Sequence, residues 1–157
     1  MSEVIILRGI SGSGKSTFIQ QNILPYFQDR AAVVSTDFFM VDEEGRYSFH
    51  PLKLQEAHKR CLLQFVALVM EDFDHSPEAI IVDNTNTSLW EISPYTQLAL
   101  AYGHRLEVVT LLCSPDIAFS RTQHQTPVHT VLSQDLRLRK SLLKVPPWWN
   151  QKIRFMT

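Results

Sequence analysis

The feature that most constrains this 157-residue chain is a glycine-rich segment directly after its first apolar run. The segment satisfies the spacing G-x-x-x-x-G-K-[ST] and reads Gly9-Ile10-Ser11-Gly12-Ser13-Gly14-Lys15-Ser16. It lies between the apolar run Val4 to Leu7 and a stretch of helical periodicity, where a strand would turn into a helix. Glycines let the backbone curl around an anion, so that loop N–H groups and the helix N-terminus face it. The segment therefore predicts a site for nucleotide phosphates.

Each residue type in this segment has an expected role. The nucleotide site comprises Gly9, Ser11, Gly12, Ser13, Gly14, Lys15, Ser16 and Thr17. Lys15 would reach the β- and γ-phosphates of ATP, and the Ser16 hydroxyl would ligate Mg²⁺. Mg²⁺ usually takes one or two protein oxygens besides phosphate and water, so a carboxylate is expected at the end of a neighbouring strand. Asp83 ends an apolar run and is the candidate; a turn role for it is the alternative, and the two roles are compatible.

Further apolar, β-branched runs alternate with segments of helical periodicity. Strands are predicted at Val4 to Leu7, Ala31 to Ser35, Ala79 to Val82 and Leu106 to Leu112, with helices at Lys15 to Phe27, Leu52 to Phe73 and Leu89 to Tyr102. A helix start at Ser114-Pro115, a helix over roughly Thr130 to Leu143 and a fifth strand at Ile153 to Met156 would follow. This alternation predicts an α/β fold, a parallel sheet with helices on both faces. With no repeat or linker, we expect one domain over residues 1–157.

A second carboxylate, Asp37, follows the second predicted strand in the run Ser35-Thr36-Asp37. The carboxyl ends of strands surround the ligand crevice of an open α/β sheet. Asp37 is therefore the candidate general base, which would accept the proton of an attacking hydroxyl. The alternative is an exposed loop residue beside the acidic run Asp42 to Glu44.

Charge and composition exclude some classes of protein. A net charge of −1 argues against a protein that coats long nucleic acid through a general positive field. Basic residues do concentrate near the C-terminus, where they form either an anion-binding wall or a solvated surface: Arg137, Arg139, Lys140, Lys144, Lys152 and Arg154. Cys61 and Cys113 lie in apolar runs and are expected to be buried free thiols. With neither a leader nor an apolar run long enough to span a membrane, a cytoplasmic location is expected.

Over roughly residues 3–140 the chain resembles the small P-loop kinases grouped with phage polynucleotide 5′-kinase. The resemblance rests on the P-loop, Ser35-Thr36-Asp37, the stretch Gly45 to Pro51, Ile81 to Asn86, and the stretch Arg121 to Pro127. The segment Asp83-Asn84-Thr85-Asn86 is similar to the polynucleotide-kinase-like domain of eukaryotic ubiquitin-ligase-binding proteins. The resemblance implies a P-loop NTPase fold with strand order 2-3-1-4, Asp37 as the base, and a helical lid carrying Arg121. We place that lid at roughly residues 115–143, followed by a tail over 144–157.

One departure concerns the lid. The phage-type kinases carry a second lid arginine shortly after the position of Arg121, where this chain has His124 and Gln125. Help for Arg121 must then come from His124, Arg137 or Arg139, and the sequence does not choose among them.

The residues predict an ATP- and Mg²⁺-dependent phosphotransferase with a hydroxyl acceptor. The first hypothesis for the acceptor is the 5′-hydroxyl end of DNA or RNA. A kinase of a nucleoside, sugar or antibiotic and a non-catalytic nucleotide sensor remain as alternatives. Aromatic residues near Asp37 would either stack on a base or belong to the core: Phe38, Phe39, Tyr47 and Phe49. The same ambiguity applies to Trp148 and Trp149.

Overall fold

A computed structural model of the chain describes residues 1–71, 75–122 and 125–157. Its centre is a five-stranded, all-parallel sheet with strand order β2-β3-β1-β4-β5. The strands are β1 (Glu3–Arg8), β2 (Ala31–Val34), β3 (Ala79–Asp83), β4 (Arg105–Cys113) and β5 (Gln151–Met156). The predicted order 2-3-1-4 is confirmed, and the fifth strand extends the sheet beyond β4.

The helices connect these strands. They are α1 (Lys15–Phe18), α2 (Leu24–Phe27), α3 (Leu54–Val69), α4 (Leu89–Ala101), α5 (Pro115–Ser120) and α6 (Val128–Ser141). Short 3₁₀ turns occur at Gln28–Arg30, Thr36–Phe39, Pro51–Lys53, Leu142–Lys144 and Pro147–Trp149. The helix predicted over Leu52 to Phe73 corresponds to α3, and its predicted end, Phe73, lies outside the described residues.

A π-helical turn, Ile19–Ile23, separates α1 from α2 where the sequence predicted one uninterrupted helix. Pro25 stands in the first turn of α2 and has no N–H to donate to the carbonyl of Gln21. Its ring also crowds that carbonyl, and the chain accommodates both effects by widening the preceding turn. The interruption is therefore a consequence of Pro25.

The two faces of the sheet bury different helices because successive strand residues point to opposite sides. On one face Val4 and Ile6 pack in a core cluster with residues of α3 and α4, where the rings of Phe65 and Tyr95 meet edge to face at 5.0 Å. On the other face Ile5 and Leu7 join a cluster with residues of α1 and the π turn. A third cluster lies among the P-loop, the end of β4, α5 and α6. The helices thus cover the two faces of the sheet, and the candidate site lies at its carboxyl edge.

The cysteines and the adjacent tryptophans have the following environments. Cys61 and Cys113 are buried free thiols, as predicted. Trp149 belongs to the core, whereas Trp148 is exposed. Within the described parts of the chain, none of the helices combines the length and the apolar composition that crossing a bilayer requires.

Candidate active site

The P-loop joins β1 to α1, and its path depends on glycines. Gly12 and Gly14 have φ angles of 82° and 101°, in the left-handed region that side chains disfavour. A Cβ on Gly12 would lie 1.9 Å from the carbonyl oxygen of Ala118 in α5. The loop therefore passes directly beneath α5, the first helix of the predicted lid, with no room for a side chain at this point.

Lys15 lies at the start of α1 and turns back over the loop. Its Nζ donates to the carbonyl oxygens of Gly9 at 2.9 Å and Ile10 at 3.2 Å. Ser16 and Thr17, next in the helix, are exposed. The first N–H groups of a helix lack partners within it, so this turn presents donors together with the ammonium group.

Three charged residues come together at the carboxyl edge of the sheet. Burial lowers the pKa of Lys15, while Asp83 and Asp37 act to raise it. Burial raises the pKa of Asp83, Lys15 opposes that shift, and Asp37 adds to it. Both carboxylates thus lie within electrostatic reach of the Lys15 ammonium group. The arrangement brings together Lys15 from the P-loop, Asp83 from β3 and Asp37 from the end of β2.

The residues after Asp83 tie the strand ends to one another. Asn84 accepts the N–H of Thr36 at 2.8 Å, which links the end of β3 to the turn that carries Asp37. The carbonyl of Thr85 accepts the N–H of Gly9 at 3.0 Å, and the Asn86 amide donates to the carbonyl of Leu7 at 2.8 Å. The segment Asp83 to Asn86 therefore positions both the P-loop and Asp37.

Asp37 lies in the 3₁₀ turn Thr36–Phe39, directly after β2, and is exposed. Its N–H donates to the Ser35 hydroxyl at 3.3 Å, which starts the turn. Burial raises the pKa of Tyr47, and the nearby carboxylate of Asp37 adds to that shift. The phenol of Tyr47 and the carboxylate of Asp37 therefore share one side of the cleft.

Tyr47 belongs to a small hairpin, which we call the flap and define as residues 40–48. Its strands meet in an antiparallel bridge between Val41 and Tyr47, and Asp42 accepts the N–H groups of Glu44 and Arg46 to close the turn. Arg46 also forms ion pairs with Asp42 and Glu44. The acidic run is thus part of a turn, beside Asp37 in the sequence.

The aromatic residues near Asp37 divide between the two expected roles. Phe39 packs against the core, and Tyr47 is half-buried beside Asp37. Phe38 and Phe49 are each 54% exposed. Stacking on an acceptor thus remains open to these two rings.

Arg121 directly follows α5, and its side chain is exposed. One guanidinium nitrogen donates to the Cys113 sulfur at 3.2 Å and another to the carbonyl oxygen of Thr157 at 3.2 Å. Its N–H donates to the carbonyl of Ala118, the group that lies over Gly12. Arg121 is therefore next to the P-loop in the fold, with its side chain directed to the ends of β4 and β5.

The three proposed helpers of Arg121 have different environments. Arg137 donates to the hydroxyl of Thr87 at 3.2 Å, while Arg139 pairs with Asp135 at 3.0 Å on the exposed surface of α6. His124 lies outside the described residues. The remaining basic C-terminal residues are divided between α6, the turn after it and β5, where Lys152 pairs with Glu107 at 3.7 Å.

Arg8, at the end of β1, is a site-supporting residue that the sequence analysis missed. Its fully buried guanidinium donates to the carbonyls of Asn86 and Thr87, to the side-chain oxygen of Gln151 and to the hydroxyl of Ser141. Burial lowers its pKa to about 10, and Glu91 opposes that shift. The sequence signal that could have identified it is an arginine at the end of an apolar strand, because a charged group buried there needs hydrogen-bond partners.

The residues present fit a nucleotide and a divalent cation. The Ser13 hydroxyl is buried inside the loop without a hydrogen-bond partner among the described residues, which suits a site that a polar ligand completes. Residues 1–71, 75–122 and 125–157 contain no group of three or more His, Cys, Asp and Glu side chains placed to hold a metal. Ser16 and Asp83 carry oxygen atoms of the kind that Mg²⁺ prefers, and two protein ligands would be enough because Mg²⁺ takes its remaining ligands from phosphate and water.

Comparison with known proteins agrees with this geometry. The sequence model of the AAA domain family matches residues 4–138. NEDD4-binding protein 2 of Homo sapiens is 32% identical over 106 residues, which make up 68% of this chain. The chain spans 6% of the length of that relative.

Several solved structures share the fold. The AvrRxo1-ORF1:-ORF2 complex with ATP has a TM-score of 0.75 at 17% identity, covering 100% of this chain and 55% of that chain. The Pnkp1/Rnl/Hen1 RNA repair complex has a TM-score of 0.71 at 20% identity, covering 92% and 46%. A gluconokinase from Sinorhizobium meliloti 1021 has a TM-score of 0.59 at 18% identity, covering 99% and 83%. At these identities the likeness is one of fold.

Proposed function

This chain belongs to the AAA domain family, whose sequence model matches residues 4–138, and from that premise we propose that it is an ATP- and Mg²⁺-dependent phosphotransferase acting on a hydroxyl group. The observation that carries the proposal is the convergence of Lys15, Asp83 and Asp37 at the carboxyl edge of the sheet. A P-loop that only bound nucleotide would not need a second, exposed carboxylate across from the phosphate site. Asp37 provides one.

The proposed reaction is a single displacement at the γ-phosphorus. The acceptor oxygen forms a bond to phosphorus, the bond from phosphorus to the β–γ bridging oxygen breaks, and ADP leaves with that electron pair. The acceptor's proton passes to the carboxylate of Asp37. Because Asp37 is exposed, an acceptor hydroxyl can approach it from solvent.

The other residues hold the phosphates. Lys15 offers positive charge to the β- and γ-phosphate oxygens, and the N–H groups of the P-loop and α1 donate to them. Ser16 and Asp83 would hold Mg²⁺, which when bound neutralises charge on the same oxygens. The burial that lowers the pKa of Lys15 also strengthens its attraction for phosphate, since the surrounding dielectric is low.

We propose the 5′-hydroxyl end of DNA or RNA as the first acceptor to test. The exposed rings of Phe38 and Phe49 lie in the segment that follows Asp37 and are available to stack on bases. The likeness in fold to the RNA repair complex adds support. Binding here would involve the end of a strand, because a net charge of −1 does not suit a long phosphate backbone.

A small hydroxylated molecule is the second candidate acceptor. The observation in its favour is the flap, where Asp42, Glu43 and Glu44 outnumber the single basic residue, Arg46. Negative charge beside Asp37 would repel a phosphate backbone and would tolerate a neutral sugar or nucleoside. The gluconokinase likeness in fold is consistent with this alternative.

The test is label transfer from γ-labelled ATP with Mg²⁺ to three sets of acceptors. These are 5′-hydroxyl DNA, 5′-hydroxyl RNA, and a pool of nucleosides and sugars, each incubated with the wild type and with Lys15→Ala. Label on an oligonucleotide end, reduced about 10²–10³-fold in Lys15→Ala at an unchanged melting temperature, is the expected result. Label confined to the pool selects the small-molecule kinase. ATP binding without transfer to any acceptor would overturn the kinase proposal and leave the nucleotide sensor.

A further inference from the structure

Gln134 interrupts the buried face of the lid helix α6. That face otherwise buries Val131, Leu138 and the hydroxyl of Ser141, while Gln134 is only 9% exposed. Burying a side-chain amide costs free energy unless its polar atoms find partners. The position of the amide therefore requires a reason.

The partner of Gln134 is the P-loop. Its Oε1 accepts the N–H of Ser11 at 2.9 Å. It is the only hydrogen bond among the described residues in which a P-loop N–H donates to a side chain from outside the P-loop. Gln134 thus connects the lid directly to the phosphate cradle.

The other half of the amide is open. Among the described residues, Nε2 of Gln134 has no hydrogen-bond partner. The only fully buried side-chain polar atom without a partner in those residues is the Ser13 hydroxyl, so Nε2 is not fully buried. Nε2 therefore reaches solvent. Because Oε1 and Nε2 share one carbon, this donor lies at the edge of the loop beside Ser11.

Lys15 indicates which phosphate would meet that donor. Its Nζ lies against the carbonyls of Gly9 and Ile10, immediately before Ser11. In a P-loop the lysine serves the β- and γ-phosphates, so the arc from Gly9 to Ser11 borders the outer end of the phosphate chain. An ADP would leave this end of the cradle without a ligand.

We infer that Gln134 is a phosphate-binding residue: Oε1 holds the P-loop at Ser11, and Nε2 donates to the terminal phosphate of a bound nucleoside triphosphate. The inference rests on the proposed function, since it requires ATP in the P-loop. An amide suits the role because it accepts from Ser11 and donates to phosphate without charge. The lid helix then distinguishes ATP from ADP through a contact that ADP cannot make.

The experiment measures ATP and ADP affinities by calorimetry, with Mg²⁺, for the full chain and three variants. Gln134→Leu removes both halves of the contact, whereas Gln134→Glu keeps an acceptor for Ser11 and replaces the donor with a negative charge. Asp135→Asn is the matched control, because Asp135 is on the same helix and pairs with Arg139 rather than with the P-loop. Melting temperatures report whether each variant folds.

A hydrogen bond to a charged phosphate predicts a Kd for ATP raised about tenfold or more in Gln134→Leu, with the Kd for ADP changed less than about twofold. Gln134→Glu should lose at least as much ATP affinity with its bond to Ser11 retained, and Asp135→Asn should match the wild type. Equal losses for ATP and ADP, or none in either Gln134 variant, would overturn the inference. Failure of the wild type to bind ATP at all would instead refute the proposed function.

Discussion

The phosphate side of the cleft and its acceptor side differ in how firmly the fold holds them. The P-loop is bonded to Thr85 and Gln134 and packs against Ala118. On the acceptor side, Asp37, Phe38 and Phe49 are exposed, and the flap is closed largely by bonds within its own turn. Under the proposed function, nucleotide binding would thus be built into the packing of the fold, whereas acceptor choice would depend on side chains that can change at little cost to stability.

The strongest loss of activity is expected when the proton acceptor Asp37 is replaced. Asp37→Asn keeps the shape of the side chain but cannot accept a proton, so single-turnover transfer should fall about 10²–10⁴-fold. ATP affinity and melting temperature should stay close to wild type, because Asp37 is exposed. A fall smaller than about tenfold at equal stability would remove Asp37 from the mechanism.

A pair of glycines tests the two sides directly. Gly12 and Gly45 have nearly equal φ angles, 82° and 81°, but a Cβ on Gly12 would strike Ala118 whereas one on Gly45 would meet nothing within 4 Å. Both alanine variants pay the left-handed backbone cost of about 1–2 kcal/mol, and Gly12→Ala adds about 1–3 kcal/mol of overpacking. Denaturant unfolding and ATP titration should show Gly12→Ala as the less stable variant and as impaired in ATP binding, whereas Gly45→Ala should lose only the backbone cost in stability and bind ATP normally. Equal behaviour of the two variants would contradict the comparison.

The lid should show a smaller effect, in turnover more than in binding. Arg121→Lys keeps the charge but loses the planar pair of donors, so kcat should fall about tenfold, the worth of one hydrogen bond to a charged group. Arg60→Lys is the control, since Arg60 pairs with Glu56 on the exposed surface of α3, outside the lid. Steady-state kinetics with saturating ATP provides the measurement, and a wild-type kcat in Arg121→Lys would exclude the role.

The smallest expected effect is in acceptor affinity. Phe38 is 54% exposed, so Phe38→Ala should leave the melting temperature nearly unchanged. If the ring stacks on a base, KM for an oligonucleotide should rise about fivefold, near the lower end of the range for base stacking. Phe65→Ala serves as the contrast, because Phe65 is fully buried and its loss should cost about 3–5 kcal/mol of stability. An unchanged KM for oligonucleotides would favour the small-molecule acceptor.

The strand and helix plan could be predicted from the sequence because its signals are local. Apolar, β-branched runs marked the first four strands, and the P-loop spacing located the turn from β1 to α1. The π turn before Pro25 was missed because the proline lies inside a segment whose periodicity otherwise indicates one helix. The strand order came from the family resemblance, since periodicity alone does not order strands.

The site was predicted less completely, for a physical reason. Lys15, Ser16, Asp37 and Asp83 could be proposed because each stands at a strand end or helix start that the sequence marks. Arg8 and Gln134 were missed because their partners lie far along the chain, at Ser141 for Arg8 and at Ser11 for Gln134. Long-range side-chain hydrogen bonds leave no periodic trace in a sequence.

The position of Arg8 has a consequence for how separable the parts of this fold are. One buried guanidinium joins the residue before the P-loop to the end of the lid helix at Ser141 and to the last strand at Gln151. A lid exchanged between relatives must therefore bring an acceptor that fits this arginine, or the buried guanidinium loses one of its hydrogen-bond partners. A lid transplanted together with its own β1 and nucleotide loop avoids that mismatch.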